Sequence, residues 1–272
     1  MAFQAYSFSF NGTSSEELGL MIYDLDNNKN PNDVQLSSPI TVYEDKLVRR
    51  SSTLYYGSTQ NDQQELTFVM GISPDRLNQH QHLDRYEINS ITEWFTGESG
   101  YKWLNIAQPD MEHVRYKCYC SSIKQIGVGW STLAFEIKFL CDSPFGYLYP
   151  EEYTYNVDTN KTIVLFNKSS SILPYKPKME ITLPIGIGTI SIKNVTDSER
   201  ETKFSSVPNP TGMKILIDNE NEIITKDGDT GVNLYQYFNF KFFRLKKGDN
   251  QIVITGNSSV KFICEFPVSV GG

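Results

Sequence analysis

The sequence predicts a mostly β protein made of two β-rich halves. Two observations carry that prediction. Short runs alternate apolar and polar residues along most of the chain, as strands with one buried face require. Aromatic residues make up 13% of the chain, with 16 Tyr and 16 Phe, and pleated faces pack such side chains well. At 272 residues the chain is long enough for one large domain or two ordinary ones.

The elements follow in order. Residues 3–10 alternate, with Phe3, Ala5, Ser7 and Ser9 on one side and Tyr6, Phe8 and Phe10 on the other, before the turn dipeptide Asn11-Gly12. A second strand restarts at 18–23, and 26–33 (DNNKNPND) is a polar loop. Residues 40–50 and 64–70 read as strands. Between them, RRSSTLYYGS at 49–58 reads as a long hairpin arm with a polar tip and aromatic flanks. Such an arm has no means of burying its own aromatics and suits packing on a neighbour.

One helix is expected within 73–97. Asp84 and Glu87 have capping-box spacing at the start of its second half, and Ile88, Ile91, Trp94 and Phe95 share a helical face. Gly97 is placed to end the helix in the left-handed conformation, and Ser73-Pro74 offers an earlier start. Strands follow at 101–106, 116–123 and 133–141. The prolines Pro144 and Pro150 stop the ladder and divide the chain into domains 1–148 and 149–272. The second half reads as strands at 162–167, 178–183, 189–194, 213–218, 222–225, 238–243, 251–255 and 260–266, spaced as in a two-sheet sandwich.

Charge narrows the function classes. The net charge of −7 lies wholly in residues 1–150, with 11 Lys+Arg against 18 Asp+Glu; residues 151–272 carry 14 of each. An acidic domain gains little from neutralising phosphate, so a direct grip on nucleic acid is disfavoured, although such a domain suits a passage to which nucleic acid must not stick. The opening MAFQAYSFSFNG lacks a basic segment and a signal-length apolar run, and no stretch has the composition of a membrane span. Cys118, Cys120, Cys141 and Cys264 read as buried thiols.

No assembled set of reactive groups is visible. Cys118-x-Cys120 with His80, His82 and His113 falls short of the paired spacing of a zinc site. Asp227-Gly228-Asp229 and 218–222 (DNENE) fit tight hairpins better than a calcium loop. Gly127-Val128-Gly129 and Gly186-Ile187-Gly188 lack the continuation of a phosphate loop and are expected to be bulges or turns. No G-x-S-x-G elbow is present, and the second half has no His to serve as a base. No catalytic residue, cofactor site or metal site is expected, and the chain is read as non-enzymatic.

In order, 6–12 (YSFSFNG), Leu18-Gly19-Leu20, 91–95 (ITEWF), 101–104 (YKWL), Pro109-Asp110, 115–118 (RYKC) and 135–147 run through the first half. In the second come 177–181 (PKMEI), 190–194 (ISIKN), 215–218 (ILID) and 245–256 (LKKGDNQIVITG). This series resembles the distal tail proteins of long-tailed bacteriophages and covers most of the chain. The resemblance implies a virion structural protein made in the host cytoplasm. It would form a ring, usually a homo-hexamer, at the tail tip between the tail tube protein and the tail-associated tip protein. Receptor-binding proteins could sit on its rim. DNA would pass through without specific binding, and no membrane insertion is implied. The first domain would be a sandwich-like ring former, and the second a galectin-like β-sandwich that docks proteins. Galectin-type sugar binding is not carried over, because Trp94, Trp103 and Trp130 all lie in the first half. Arg50, Tyr55 and Tyr56 are the expected interface residues, since aromatics and Arg dominate interface energetics. The competing readings are a carbohydrate-binding module using Tyr235 and Tyr237 on one strand face, and a wall-degrading hydrolase for which no carboxylate stands out.

Overall fold

The computed structural model describes residues 7–23, 41–47, 51–59, 63–73, 82–107, 109, 111–128, 131–209, 212–227, 231 and 233–269. The architecture is mostly β, and the chain divides into two compact units, Met1–Tyr147 with Ser269–Gly272, and Leu148–Val268.

The first unit contains β1 (Phe8–Phe10), β2 (Thr13–Ser14), β3 (Leu20–Tyr23), β4 (Thr41–Asp45), β5 (Leu54–Thr59), β6 (Glu65–Ile72), α1 (Arg85–Thr96), β7 (Lys102–Ile106), β8 (Val114–Val128), β9 (Ser131–Cys141) and β10 (Gly146–Leu148). The main sheet has the order β2-β1-β7-β8-β9-β6-β3, and β4 and β5 form a separate two-stranded sheet. Phe8 and Phe10 are buried while Ser9 is only half so, the alternation expected of 3–10. They meet Phe68 and Phe139 from the sheet and Trp94 and Phe95 from α1: Phe8 stacks on Trp94 at 5.7 Å, and Phe10 lies 5.2 Å from Phe139. The Trp94 indole donates to the Phe10 carbonyl at 3.0 Å, which gives the one polar atom of this cluster a partner.

The helix Arg85–Thr96 opens on the expected capping box. The Asp84 carboxylate accepts from the Glu87 amide at 2.8 Å, and the Glu87 carboxylate accepts from the Asp84 amide at 3.0 Å. Ile91 and Phe95 are buried, whereas Ile88 and Trp94 are half-buried; each fully buried side chain contributes about 1.5–3 kcal/mol. The helix end differs from expectation. Gly97 has φ −72° and ψ −15°, so it is right-handed rather than left-handed, and its N–H still bonds the Glu93 carbonyl at 2.7 Å. The left-handed residue comes later, at Gly100 with φ +84°. The alternative start at Ser73-Pro74 lies largely outside the described residues.

The second unit contains β11 (Glu151–Val157), β12 (Asn160–Asn167), β13 (Lys178–Leu183), β14 (Gly186–Asn194), β15 (Arg200–Asn209), β16 (Met213–Asp218), β17 (Ile223–Lys226), β18 (Gly248–Thr255) and β19 (Ser258–Cys264). Sheets of order β11-β19-β13-β16-β17 and β12-β18-β14-β15 share one core. Met179, Ile181, Ile215 and Phe262 enter it from the first sheet, and Leu165, Ile192, Phe204 and Ile254 from the second. Each strand alternates, as β16 does with Met213, Ile215 and Ile217 inward. Gly256 closes β18 at φ +115°, and a Cβ there would lie 2.3 Å from the Thr189 carbonyl oxygen. Both the angle and the close backbone approach therefore require glycine.

Three expectations for this half change. Residues 238–243 are not a strand: Phe238 makes an isolated bridge to Phe204, and Phe240 is left-handed at φ +57°. Tyr235–Tyr237 is a 3-10 turn and not a strand face. The strands β11 and β15 were not foreseen. Gly127 and Gly188 sit at bulges as expected, since the ladder shifts register between Ile126 and Gly127 and between Gly188 and Ile190; Gly129 lies outside the described residues.

Candidate functional site

Strands β4 and β5 pair antiparallel from Thr41–Thr59 to Asp45–Leu54. All five residues of β4 are exposed, so among the described residues neither face of this strand has a core to rest on. An isolated two-stranded ribbon is marginal in water, yet this one carries Val42, Tyr43, Tyr55 and Tyr56 on its surface. Tyr55 and Tyr56 are 65% and 67% exposed, and the Tyr55 hydroxyl donates to Ser58 Oγ at 2.9 Å. A register shift opposite Tyr43 and Glu44 leaves Tyr56 as the extra residue of a bulge, followed by Gly57 at φ +143°. Bulges re-aim side chains and twist an edge away from indiscriminate pairing. Two of the three expected interface residues thus stand together on the arm; Arg50 lies outside the described residues. Val42 and Tyr43 were missed, although the apolar pair inside 40–50 was the available signal.

The second unit is held by a buried polar network around the LKKGDN turn. Asn250 Oδ1 accepts from the Lys246 amide at 2.8 Å, and Asn250 Nδ2 donates to the Lys246 and Gly248 carbonyls at 2.7 and 2.9 Å. Asn194 Nδ2 donates to Asn250 Oδ1 and to the Arg244 carbonyl, both at 2.9 Å. Beside it the nearly inaccessible Asp197 carboxylate receives Arg244 Nε at 2.6 Å and Nη2 at 3.2 Å, with Lys246 Nζ at 3.6 Å. The Arg244 guanidinium holds the Asp197 carboxyl below the usual range. This fork is positioned by backbone bonds and serves to fix one turn against another.

Phe240 is unusual in a different way. It is 67% exposed and adopts the left-handed region, which costs a bulky residue about 1–3 kcal/mol. Asn239 holds it there: Oδ1 accepts from the Lys203 amide at 3.1 Å and the Lys241 amide at 3.3 Å, and Nδ2 donates to the Glu201 carbonyl at 2.8 Å.

The reactive groups do not assemble. Cys118 and Cys141 face each other across β8 and β9 and are fully buried, Cys120 is half-buried, and all four cysteines are free thiols. The hydrogen bond with Cys141, then burial, pushes the Cys118 thiol up; burial pushes Cys264 to about 12, so these thiols are poor nucleophiles. His82 and His113 are exposed; His80 lies outside the described residues. Among the described residues no cluster of three or more His, Cys, Asp or Glu could hold a metal. In 218–222 the Asp218 carboxylate accepts from the Glu220 and Asn221 amides at 3.1 and 3.0 Å, as a hairpin turn requires. Among the described residues no helix is long and apolar enough to cross a membrane.

With this geometry in view, the similarities to known proteins are informative. Residues 3–143 match the family model described as phage tail protein N-terminal domain, and residues 145–264 match the phage tail C-terminal domain. No curated protein sequence matches the chain. The fold is similar to the crystal structure of the phage SPP1 Dit protein, described as a paradigm of the hub adsorption apparatus of phages infecting Gram-positive bacteria. The TM-score is 0.64 at 11% identity, over 97% of this chain and 100% of that one. A chain of the phage P2 baseplate, in its activated conformation with Ca, is similar with a TM-score of 0.51 at 12% identity, over 95% and 97% of the two chains. These likenesses are of fold, while the matched family models span both units. The chain is therefore a member of the phage tail protein family and a component of the phage tail, with a fold similar to that of the SPP1 Dit protein.

Proposed function

We propose that this chain is the distal tail protein of its phage, closing into a homo-hexameric ring between the tail tube protein and the tail-associated tip protein. The observation that carries the reading is the β4–β5 arm. It displays four large apolar side chains on a ribbon that has no core of its own among the described residues, an arrangement that suits a heterologous contact repeating around a ring. The neighbouring copy supplies the missing layer, with Tyr55 and Tyr56 as anchors and Arg50 beside them in sequence. The N-terminal domain expected from the sequence, residues 1–148, builds the ring, and its acidic balance suits a lumen through which DNA passes without adhering. The second, 149–272, is a galectin-like sandwich that docks other tail proteins, receptor-binding proteins among them. The role is structural and non-enzymatic, the site of action is the virion tail tip, and synthesis is in the host cytoplasm.

Light scattering across a concentration series tests this reading. A species near six times 31.1 kDa is expected from the wild type. The double variant Tyr55→Ala/Tyr56→Ala should weaken association by a hundredfold or more, roughly the loss when interface hot spots are truncated. Unchanged assembly in that variant would remove the arm from the interface.

A further inference from the structure

Phe240 is not accounted for by the ring. Its ring stacks with that of Tyr235, centroids 6.1 Å apart and planes 21° from parallel, and it leans on Phe238 beneath. Tyr235 is itself immobilised: its hydroxyl donates to the Glu222 carbonyl at 2.9 Å and accepts from the Ile224 amide at 3.1 Å. The surface therefore offers a rigid pair of nearly parallel aromatic rings, one held outward against the preference of its own backbone. We propose that Phe240 and Tyr235 form a stacking platform for a glycan, with one pyranose ring lying on the exposed face of Phe240.

The surroundings favour a sugar over a protein. Beyond the two rings and Ile223, the exposed residues Asn233, Gln236, Asn239 and Lys241 are all polar. A pyranose has the complementary pattern. The C–H groups on one face are drawn to the negative face of an aromatic ring, and its hydroxyls suit exposed polar neighbours such as Lys241. Prior rigidity matters for such a ligand, because few contacts must outweigh the cost of ordering. The platform is distinct from the sequence-based pairing of Tyr235 with Tyr237, which the 3-10 turn removes.

The full-length chain would be applied to an oligosaccharide array carrying glucose, galactose, rhamnose and N-acetylhexosamine termini, and hits would be titrated. The expected result is binding that falls about tenfold or more in Phe240→Ala and persists in Phe240→Trp. Phe240→Gly is a second ringless variant, at which a positive φ is unstrained; it should fold at least as well and bind as poorly. No glycan binding by the wild type overturns the proposal, as does equal binding by the two ringless variants. Absence of glycan binding together with loss of a tail-protein contact in Phe240→Gly also overturns it and assigns the platform to a protein.

Discussion

Strand β16 of the second unit and strand β4 of the arm both mix apolar and polar side chains, yet they meet opposite fates. Strand β16 lies between β13 and β17 and turns Met213, Ile215 and Ile217 into a core supplied by the facing sheet. Among the described residues strand β4 has only β5 beside it, and every one of its side chains is exposed. A strand's pattern states which side chains share a face; a second layer decides whether that face becomes a core. In the sandwich the layer comes from the same chain. In the arm, on the proposed reading, it comes from the next copy.

That comparison is open to test, first through its largest contrast. Phe262→Ala, in the sandwich core, should lower the unfolding free energy by about 3–5 kcal/mol. Tyr55→Ala/Tyr56→Ala should change it by no more than about 0.5 kcal/mol. Both are to be read by urea denaturation at a dilution where the protein is monomeric, since assembly would add its own stabilisation. Comparable losses would show that the arm belongs to its own unit's core.

The polar network sharpens the comparison next. Asp197→Asn should cost about 1–3 kcal/mol at neutral pH, as expected for charge-assisted bonds to a nearly inaccessible carboxylate. The sign of the pH dependence follows from its lowered folded-state pKa. The stabilisation is present above the ordinary carboxylate value near 4 and is lost as pH falls through the folded-state value. Denaturation midpoints of wild type and Asp197→Asn should therefore converge in acid; a constant gap would deny the ion pair its role. A smaller loss than in the core is expected at α1, where Asp84→Ala removes one half of the capping box and should cost about 0.5–2 kcal/mol. An unchanged thermal midpoint would show that packing of Ile91 and Phe95 alone holds the helix.

Much of the fold was legible because it depends on neighbours in sequence. The capping box is a three-residue relation, the alternation of Phe8 and Phe10 spans two residues, and the bulges at Gly127 and Gly188 follow from glycine itself. Strand β15 was missed for an equally physical reason. Its run RETKFSSVPN turns few apolar residues inward and carries Pro208, which an edge position tolerates. Strand β11 also lies at an edge, with Tyr153 and Tyr155 only half-buried. The apparent strand at 238–243 failed because its alternating phenylalanines are an aromatic cluster on irregular backbone. Of the proposed interaction sites, the aromatic content of the arm was visible from its letters, but its exposure on both faces was not.

Composition, periodicity and caps thus determine that this chain is mostly β, in two halves, with a capping box at Asp84 and Glu87 and a helical face from Ile88 to Phe95. These are properties of residues a few positions apart, where propensity and pattern act. Three-dimensional packing alone decides that Tyr55 and Tyr56 stay exposed and that Asp197 meets Arg244, 47 positions away. It also decides that Phe240 is turned outward by Asn239 bonds reaching back to Glu201 and Lys203. Each of these depends on which distant segment arrives alongside, and a local pattern carries no record of that arrival.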